Sequence, residues 1–410
     1  MPFSFKKTLL FTGLSFSLVL AGCAGDSEGE EESEGTNSEQ QEEVQDNEQE
    51  EQEKEQDQNE EAETASIEDQ VQAYKDITKE LDKMKEDQEV NWDMIKDTYT
   101  AELQQDLTSV NGEFDQAITA AISAGKDGSL EKNAARQIID KTTQSYFYQK
   151  QKGMHSEIAK ELEEGTKEKA QQQFDKLKFL ANEVFIPTAV KRDSYYELEG
   201  DSSLEQNINA GLTTQQEALQ AGNADDFGVY KQITDKSIYR SYFLAAQSYA
   251  EKIEKAANEG ASNDELAAEQ AEAWGFYQAI KGSLSSGDEE AAKQINTLFS
   301  LDQTEPNTIK ADEVNDLFVQ AFVGKIKGYH TESVEEVKNG NITKARTEAL
   351  EANMFTKAIE MSMTESLGEE QTKETLQKAE SWLEAVSNEN AEEAEQLGQE
   401  IVSTLDQLVK

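Results

Sequence analysis

The feature that most constrains this chain is a recurrence. Lys152-Gly153-Met154-His155-Ser156-Glu157 returns far downstream as Lys327-Gly328-Tyr329-His330-Thr331-Glu332. These two segments hold both histidines of the protein. Between them lies a degenerate copy, Gln247-Ser248-Tyr249-Ala250-Glu251, with Tyr in place of His. Each copy sits in a stretch whose apolar residues recur at three- and four-residue steps, the mark of an amphipathic helix. A glycine then stops the helix, and a second periodic stretch follows. The pattern predicts a helical hairpin used three times.

The first hairpin spans residues 146–192 and turns at Gly165. Its return arm carries Phe174, Leu177, Leu180, Val184 and Phe185, and Pro187 is expected to kink or end it. The second turns at Gly260 and the third at Asn339-Gly340. The openings match as well. Gln137-Ile138-Ile139-Asp140-Lys141 and Gln232-Ile233-Thr234-Asp235-Lys236 agree at four of five positions. Linking helices at 204–221 and 289–301 separate the copies, and two last helices near 369–386 and 391–408 read as a cap. Few-copy helical repeats are stable because each buries its neighbour's open face.

Ahead of the hairpins the same periodicity continues. Ile67, Val71, Tyr74, Ile77, Leu81 and Met84 form one stripe, and Trp92, Ile95, Tyr99, Leu103 and Leu107 another. A shorter helix follows, with Phe114, Ile118, Ala121 and Ile122, closed by Gly125. No stretch sustains the period-two alternation of a strand. Residues 66–410 are therefore expected to be all-α, an elongated bundle of about three degenerate helical-hairpin repeats.

The N-terminal end has a different character. Lys6 and Lys7 precede a short apolar run from Leu9 to Leu20, the build of an export signal over residues 1–22. The run ends Leu20-Ala21-Gly22-Cys23, which resembles a bacterial lipobox. That resemblance implies that Cys23 becomes the first mature residue and carries lipid. The protein would then be held on the outer face of a cell membrane. Several acyl chains make such anchoring stable, whereas one alone is marginal. Cys23 is the sole cysteine, so neither an intramolecular disulfide nor a thiolate metal cluster is available. Residues 24–64 hold nineteen acids and one lysine with almost no apolar side chain. Such a run cannot bury enough surface to offset its ordering entropy. Residues 23–65 thus read as a lipidated cysteine and a disordered acidic tether.

Charge excludes one class of partner. The chain carries a formal net charge of −47, and nucleic acid requires basic stripes. Most of the acids lie beyond the tether, a surface suited to high salt, where screening relieves self-repulsion. The alternative is a surface that collects cations.

Candidate chemistry rests on position in the hairpins. Residues equally far from the turn lie at the same height on the two arms. His155 is then level with Asp175, His330 with Glu351, and Tyr249 with Glu272. A histidine and a carboxylate converging from two helices begin a metal site in carboxylate-rich bundles. His155, Asp175, His330 and Glu351 are accordingly candidate ligands for a metal cation, and Tyr249, Glu272 and Trp274 candidate pocket residues. His155 and Glu157, two apart on one helix, point about 200° from each other and cannot chelate together. The plainer alternative is that each pair is a buried hydrogen bond fixing hairpin register. Motifs of metalloprotease, nucleotide-binding loop, hydrolase elbow and redox dithiol type are missing. The expectation is a binding protein and not an enzyme.

Gly-x-His-x-Glu on one helix, with Glu272-Ala273-Trp274-Gly275-Phe276-Tyr277 on a return helix, is similar to the imelysin-like and EfeO-type iron-uptake lipoprotein domains. It is also similar to helical extracellular regions of iron permeases. The resemblance implies an all-α extracytoplasmic domain that handles iron beside a membrane permease. The imelysin motif places its acid three residues after the His; Glu157 and Glu332 fall two after. Two functions therefore stand open: a ligand-binding accessory to iron or other cation uptake, and a cell-surface structural or protein-interaction scaffold.

Overall fold

The structure, a computed structural model, describes residues 65–86 and 88–409. The expected signal, Cys23 and the expected acidic tether lie outside the described residues. Among the described residues every regular element is helical and no strand is present. None of these helices is long and apolar enough to cross a membrane.

Helix α1 (Ile67–Leu81) begins at Ser66, whose hydroxyl accepts the Asp69 N–H and satisfies one of the free donors of the first turn. Its predicted stripe is buried at Ile67, Val71, Ile77 and Leu81. The stripe from Trp92 to Leu107 is broken at Leu103 into α2 (Trp92–Glu102) and α3 (Gln104–Val110). No Pro or Gly marks that break. Helix α4 (Gly112–Asp127) does not close at Gly125. It runs on to Gly128, which takes the left-handed conformation, φ 77°. Gly125 is instead a contact residue, since a Cβ there would run into the Trp92 indole.

Three long hairpins follow. The first is α5 (Lys132–Glu163) and α6 (Lys167–Leu180), the second α9 (Ala224–Glu259) and α10 (Asn263–Ser285), the third α12 (Ala311–Asn339) and α13 (Ile342–Ala358). Gly165, Gly260 and Gly340 all adopt positive φ, between 77° and 84°. Each turn makes the same two bonds: the glycine N–H reaches back three residues and the next N–H five. This double bond satisfies carbonyls the helix end would leave open. Pro187 does not end the first return arm. A π turn at Ala181–Phe185 carries α6 into α7 (Ile186–Tyr196). The wider turn accommodates a proline that lacks an N–H and crowds the preceding turn.

Shorter helices α8 (Leu204–Ala221) and α11 (Glu289–Phe299) precede the second and third hairpins. After α14 (Glu360–Leu367), the expected cap is itself a hairpin of α15 (Glu369–Ser387) and α16 (Ala391–Leu405). Its turn repeats the same bonds, with Glu389 at φ 60° where the others have glycine.

The hairpins interlock by one rule. The return arm of each packs on the first arm of the one before: α10 on α5, α13 on α9, α16 on α12. The first arms are therefore enclosed. Residues 141–148 of α5 and 234–248 of α9 are buried without interruption, polar and charged side chains such as Lys141, Gln144, Asp235, Lys236 and Arg240 included. At the first interface Ser145 donates to the Gly275 carbonyl (2.8 Å) and Gln149 to that of Ala279 (3.2 Å). A Cβ on Gly275 would meet the Lys141 Cβ, so glycine permits this close approach.

Candidate functional site

Two matching clusters of polar side chains are buried between hairpins. At the first, Lys141 of α5 pairs with Asp140 beside it (2.7 Å) and with Glu272 of α10 (3.4 Å). Tyr74 donates to Asp140 (2.6 Å), as does Gln144 (2.9 Å). At the second, Lys236 of α9 pairs with Asp235 (2.7 Å) and with Glu351 of α13 (2.7 Å). Gln151 donates to Asp235 and Tyr329 to Glu351, both at 2.7 Å. The rings correspond too. Lys141 lies over Phe276 and Lys236 over Phe355, four residues beyond each glutamate. Tyr249 stacks on Phe276 and Tyr329 on Phe355, with interplanar angles of 18° and 14°.

Charge and burial oppose each other here. Burial alone would raise Asp140 and Asp235, but the ammonium beside each, for Asp235 with the charge of Lys152 next, and then hydrogen bonds hold both well below the ordinary carboxylate range. Burial would lower Lys141 and Lys236, yet the two facing carboxylates raise them. All four stay ionised, each buried charge having an opposite charge in contact.

The sequence-predicted residues distribute unevenly over these clusters. Glu272, Tyr249 and Glu351 belong to them. Glu272 does face Tyr249: after burial, its charge is the main cause of the raised Tyr249 hydroxyl. Trp274 is half-buried and packs against the core.

The two expected histidine–acid pairs do not form. Asp175 is exposed and bonds Gln171 and Lys178 on its own helix. His155 is 1% exposed and lies among Asp235, Lys231, Lys236, Gln215 and the Phe227 ring. Glu351 faces Tyr329 and Lys236, and His330 points the other way. His330 stacks on Trp382 of α15 with ring centroids 4.0 Å apart, and its Nδ1 lies 3.4 Å from the Gly398 carbonyl of α16. Burial lowers both histidines to about 4, against a weaker opposing pull from Asp235 on His155 and from the Gly398 carbonyl on His330. Both are neutral at pH 7. Among the described residues, no three His, Cys, Asp or Glu side chains gather so as to hold a metal ion.

For the histidines the height rule failed, because it fixes height and ignores direction. Counted from the turns, Tyr249 corresponds to Tyr329, eleven residues before each glycine, and Ala250 to His330. The middle copy thus keeps the tyrosine and lacks the histidine. Sequence reasoning missed Asp140, Lys141, Asp235 and Lys236 as site residues. The signal was present in the matched Ile-x-Asp-Lys openings and in Glu-Ala-x-x-Phe at 272–276 and 351–355. Compared with known protein families, curated proteins and solved structures, the chain matches none.

Proposed function

We propose that this protein is a lipid-anchored scaffold on the outer face of a cell membrane, presenting an acidic helical body to protein partners. The observation that supports this most is the use made of the polar candidates. Glu272 and Glu351 clamp one hairpin to the next, and His155 and His330 are neutral parts of the packing. These groups serve architecture. What faces outward is helix surface rich in carboxylates, such as the exposed Glu392, Glu393, Glu395 and Glu400 of α16. Such a face favours a partner with a basic surface and gives association that weakens with salt.

The lipobox-like Leu20-Ala21-Gly22-Cys23 supports the membrane address, and residues 24–64 would serve as the tether. The test is crosslinking in intact cells followed by recovery of the lipidated chain from membranes in native salt. The reading expects a discrete membrane or surface partner. It also expects that Cys23→Ala releases the protein from the membrane fraction. Recovery of the chain alone, or retention of Cys23→Ala in membranes, would contradict it. The competing role in iron or other cation uptake predicts heat on titration with ferric, ferrous, zinc or calcium ions. It further predicts that His155→Ala/His330→Ala abolishes that heat. The scaffold reading predicts no such histidine-dependent binding.

A further inference from the structure

The second cluster holds more positive charge than its own acids neutralise. Lys236 occupies both carboxylates, at 2.7 Å from Asp235 and 2.7 Å from Glu351. Two more ammonium groups stand beside it. Lys325 of α12 is 7% exposed, hydrogen-bonds the Ser286 hydroxyl (2.8 Å), and lies over the rings of Tyr329 (5.1 Å) and Phe355 (5.3 Å). Lys152 of α5 lies 4.6 Å over the Tyr148 ring. Neither reaches a carboxylate within ion-pair distance among the described residues. The Tyr148 hydroxyl, on a fully buried side chain, lies beside the Asp235 carboxylate without a well-aligned hydrogen bond. The cluster is not sealed, because Lys152, Tyr329 and Glu351 are half-buried and Gly153 is exposed.

A buried charge without a partner is costly. Aromatic faces offset part of that cost, but they do not supply the missing counter-charge. In a chain of net charge −47, keeping Lys152, Lys236 and Lys325, with Lys231 nearby, around Asp235, Glu351 and the exposed Glu332 calls for a ligand that brings the charge. We propose that Lys152 and Lys325 clasp a small oxyanion, a carboxylate or a phosphate group, where α9 meets α5, α12 and α13. Lys236 sets the positive field behind it, and Tyr148 supplies a hydroxyl donor. The site goes beyond the scaffold role and stands whether or not that role holds. It takes the opposite class of ligand from the cation expected of the histidines.

The arrangement has a pH signature. Burial, partly offset by Glu351 and then reinforced by repulsion from Lys236 and Lys152, lowers Lys325 to about 8. The groups facing it are Lys236 and Asp235 from α9, with Lys231 nearby; Lys152, Tyr148 and His155 from α5; Glu351 from α13; and Tyr329 and Glu332 from α12 itself. Of these, Lys325 is the group lowered to about 8, and the histidine has already lost its proton well below pH 7. Anion affinity should therefore fall between about pH 7 and pH 9.

The test is calorimetric titration of the whole protein, at low chloride and pH 7, with inorganic phosphate, sulfate and citrate in turn. The proposal expects saturable heat from at least one. Phosphate over citrate would identify a phosphoryl ligand and the reverse a carboxylate. Lys325→Met and the half-exposed Lys152→Gln should each weaken binding at least tenfold. A merely structural lysine would lower the melting temperature when replaced. Here the anion-free melting temperature of Lys325→Met should hold or rise, since an unpaired buried charge is gone. Absence of heat with all three anions overturns the proposal, as does equal binding by both variants or affinity unchanged to pH 9.

Discussion

His330 and Tyr329 are neighbours in sequence and about 100° apart around α12. That angle sends Tyr329 to Glu351 and His330 to Trp382 and the Gly398 carbonyl. The histidines then act through pH. An ordinary histidine titrates near 6.5, and burial holds His155 and His330 near 4. Between those values the unfolded chain binds more protons than the folded one. Stability from this source is complete above about pH 6.5 and falls as pH drops toward 4, by roughly 3 kcal/mol per histidine. Asp140 and Asp235 have depressed values, so their contribution is lost only at lower pH, below the ordinary carboxylate range. Glu251, Glu269 and Glu348, raised by burial, act in the opposite sense and make the slope shallower. Urea midpoints measured from pH 7.5 to pH 4.5 should fall for the wild type and change much less for His155→Gln/His330→Gln. Parallel slopes would mean that the histidines are not buried neutral. The existence of these residues was legible in the sequence. Their facing partners were not, because direction around a helix depends on a neighbour that the local pattern does not contain.

At the scale of elements, hairpin turns were the most legible feature. A glycine between two apolar-periodic stretches has one economical use, and Gly165, Gly260 and Gly340 all take it. The fourth turn was harder to read, since Glu389 occupies the left-handed position without glycine's freedom. An L-residue there costs about 1–2 kcal/mol. Glu389→Gly should therefore stabilise the protein by about 1 kcal/mol, while Gly340→Ala should destabilise it by a similar amount. Thermal melts of the two variants should move in opposite directions; a shift of the same sign would show that the last hairpin does not turn as the third does. The reach of α4 past Gly125 shows the limit of such reasoning. Glycine marks a close contact as readily as a helix end, and only Trp92, over thirty residues earlier, decides between them. Gly275 is the same case. Gly275→Ala would push α10 off α5 and should cost about 1–3 kcal/mol, read as a lower urea midpoint.

Over the whole molecule, the all-helical class followed from periodicity alone, but the stacking rule did not. That α10 meets α5, and α13 meets α9, is set by contacts about 130 and 115 residues apart in the chain. Long-range pairs of this kind leave a trace only when two copies are compared, as with Asp140-Lys141 and Asp235-Lys236 against Glu272 and Glu351. The acidic surface around these clamps repels itself, and salt screens that repulsion while reaching the buried pairs far less. The melting temperature should rise between about 0.1 M and about 1 M potassium chloride. A flat or falling trend would mean that the surface charge has little bearing on stability.

The clamps themselves are open to a direct measurement, a double-mutant cycle on unfolding free energy with Lys236→Met and Glu351→Leu, run beside a cycle with His330→Leu and Glu351→Leu. Breaking one partner of a buried pair costs about 3–5 kcal/mol, while replacing both with apolar side chains restores most of it. The expected result is a coupling above about 1.5 kcal/mol for Lys236 with Glu351 and near zero for His330 with Glu351. Strong coupling of Glu351 to His330, with none to Lys236, would contradict the structural reading and return both residues to the role of ligands.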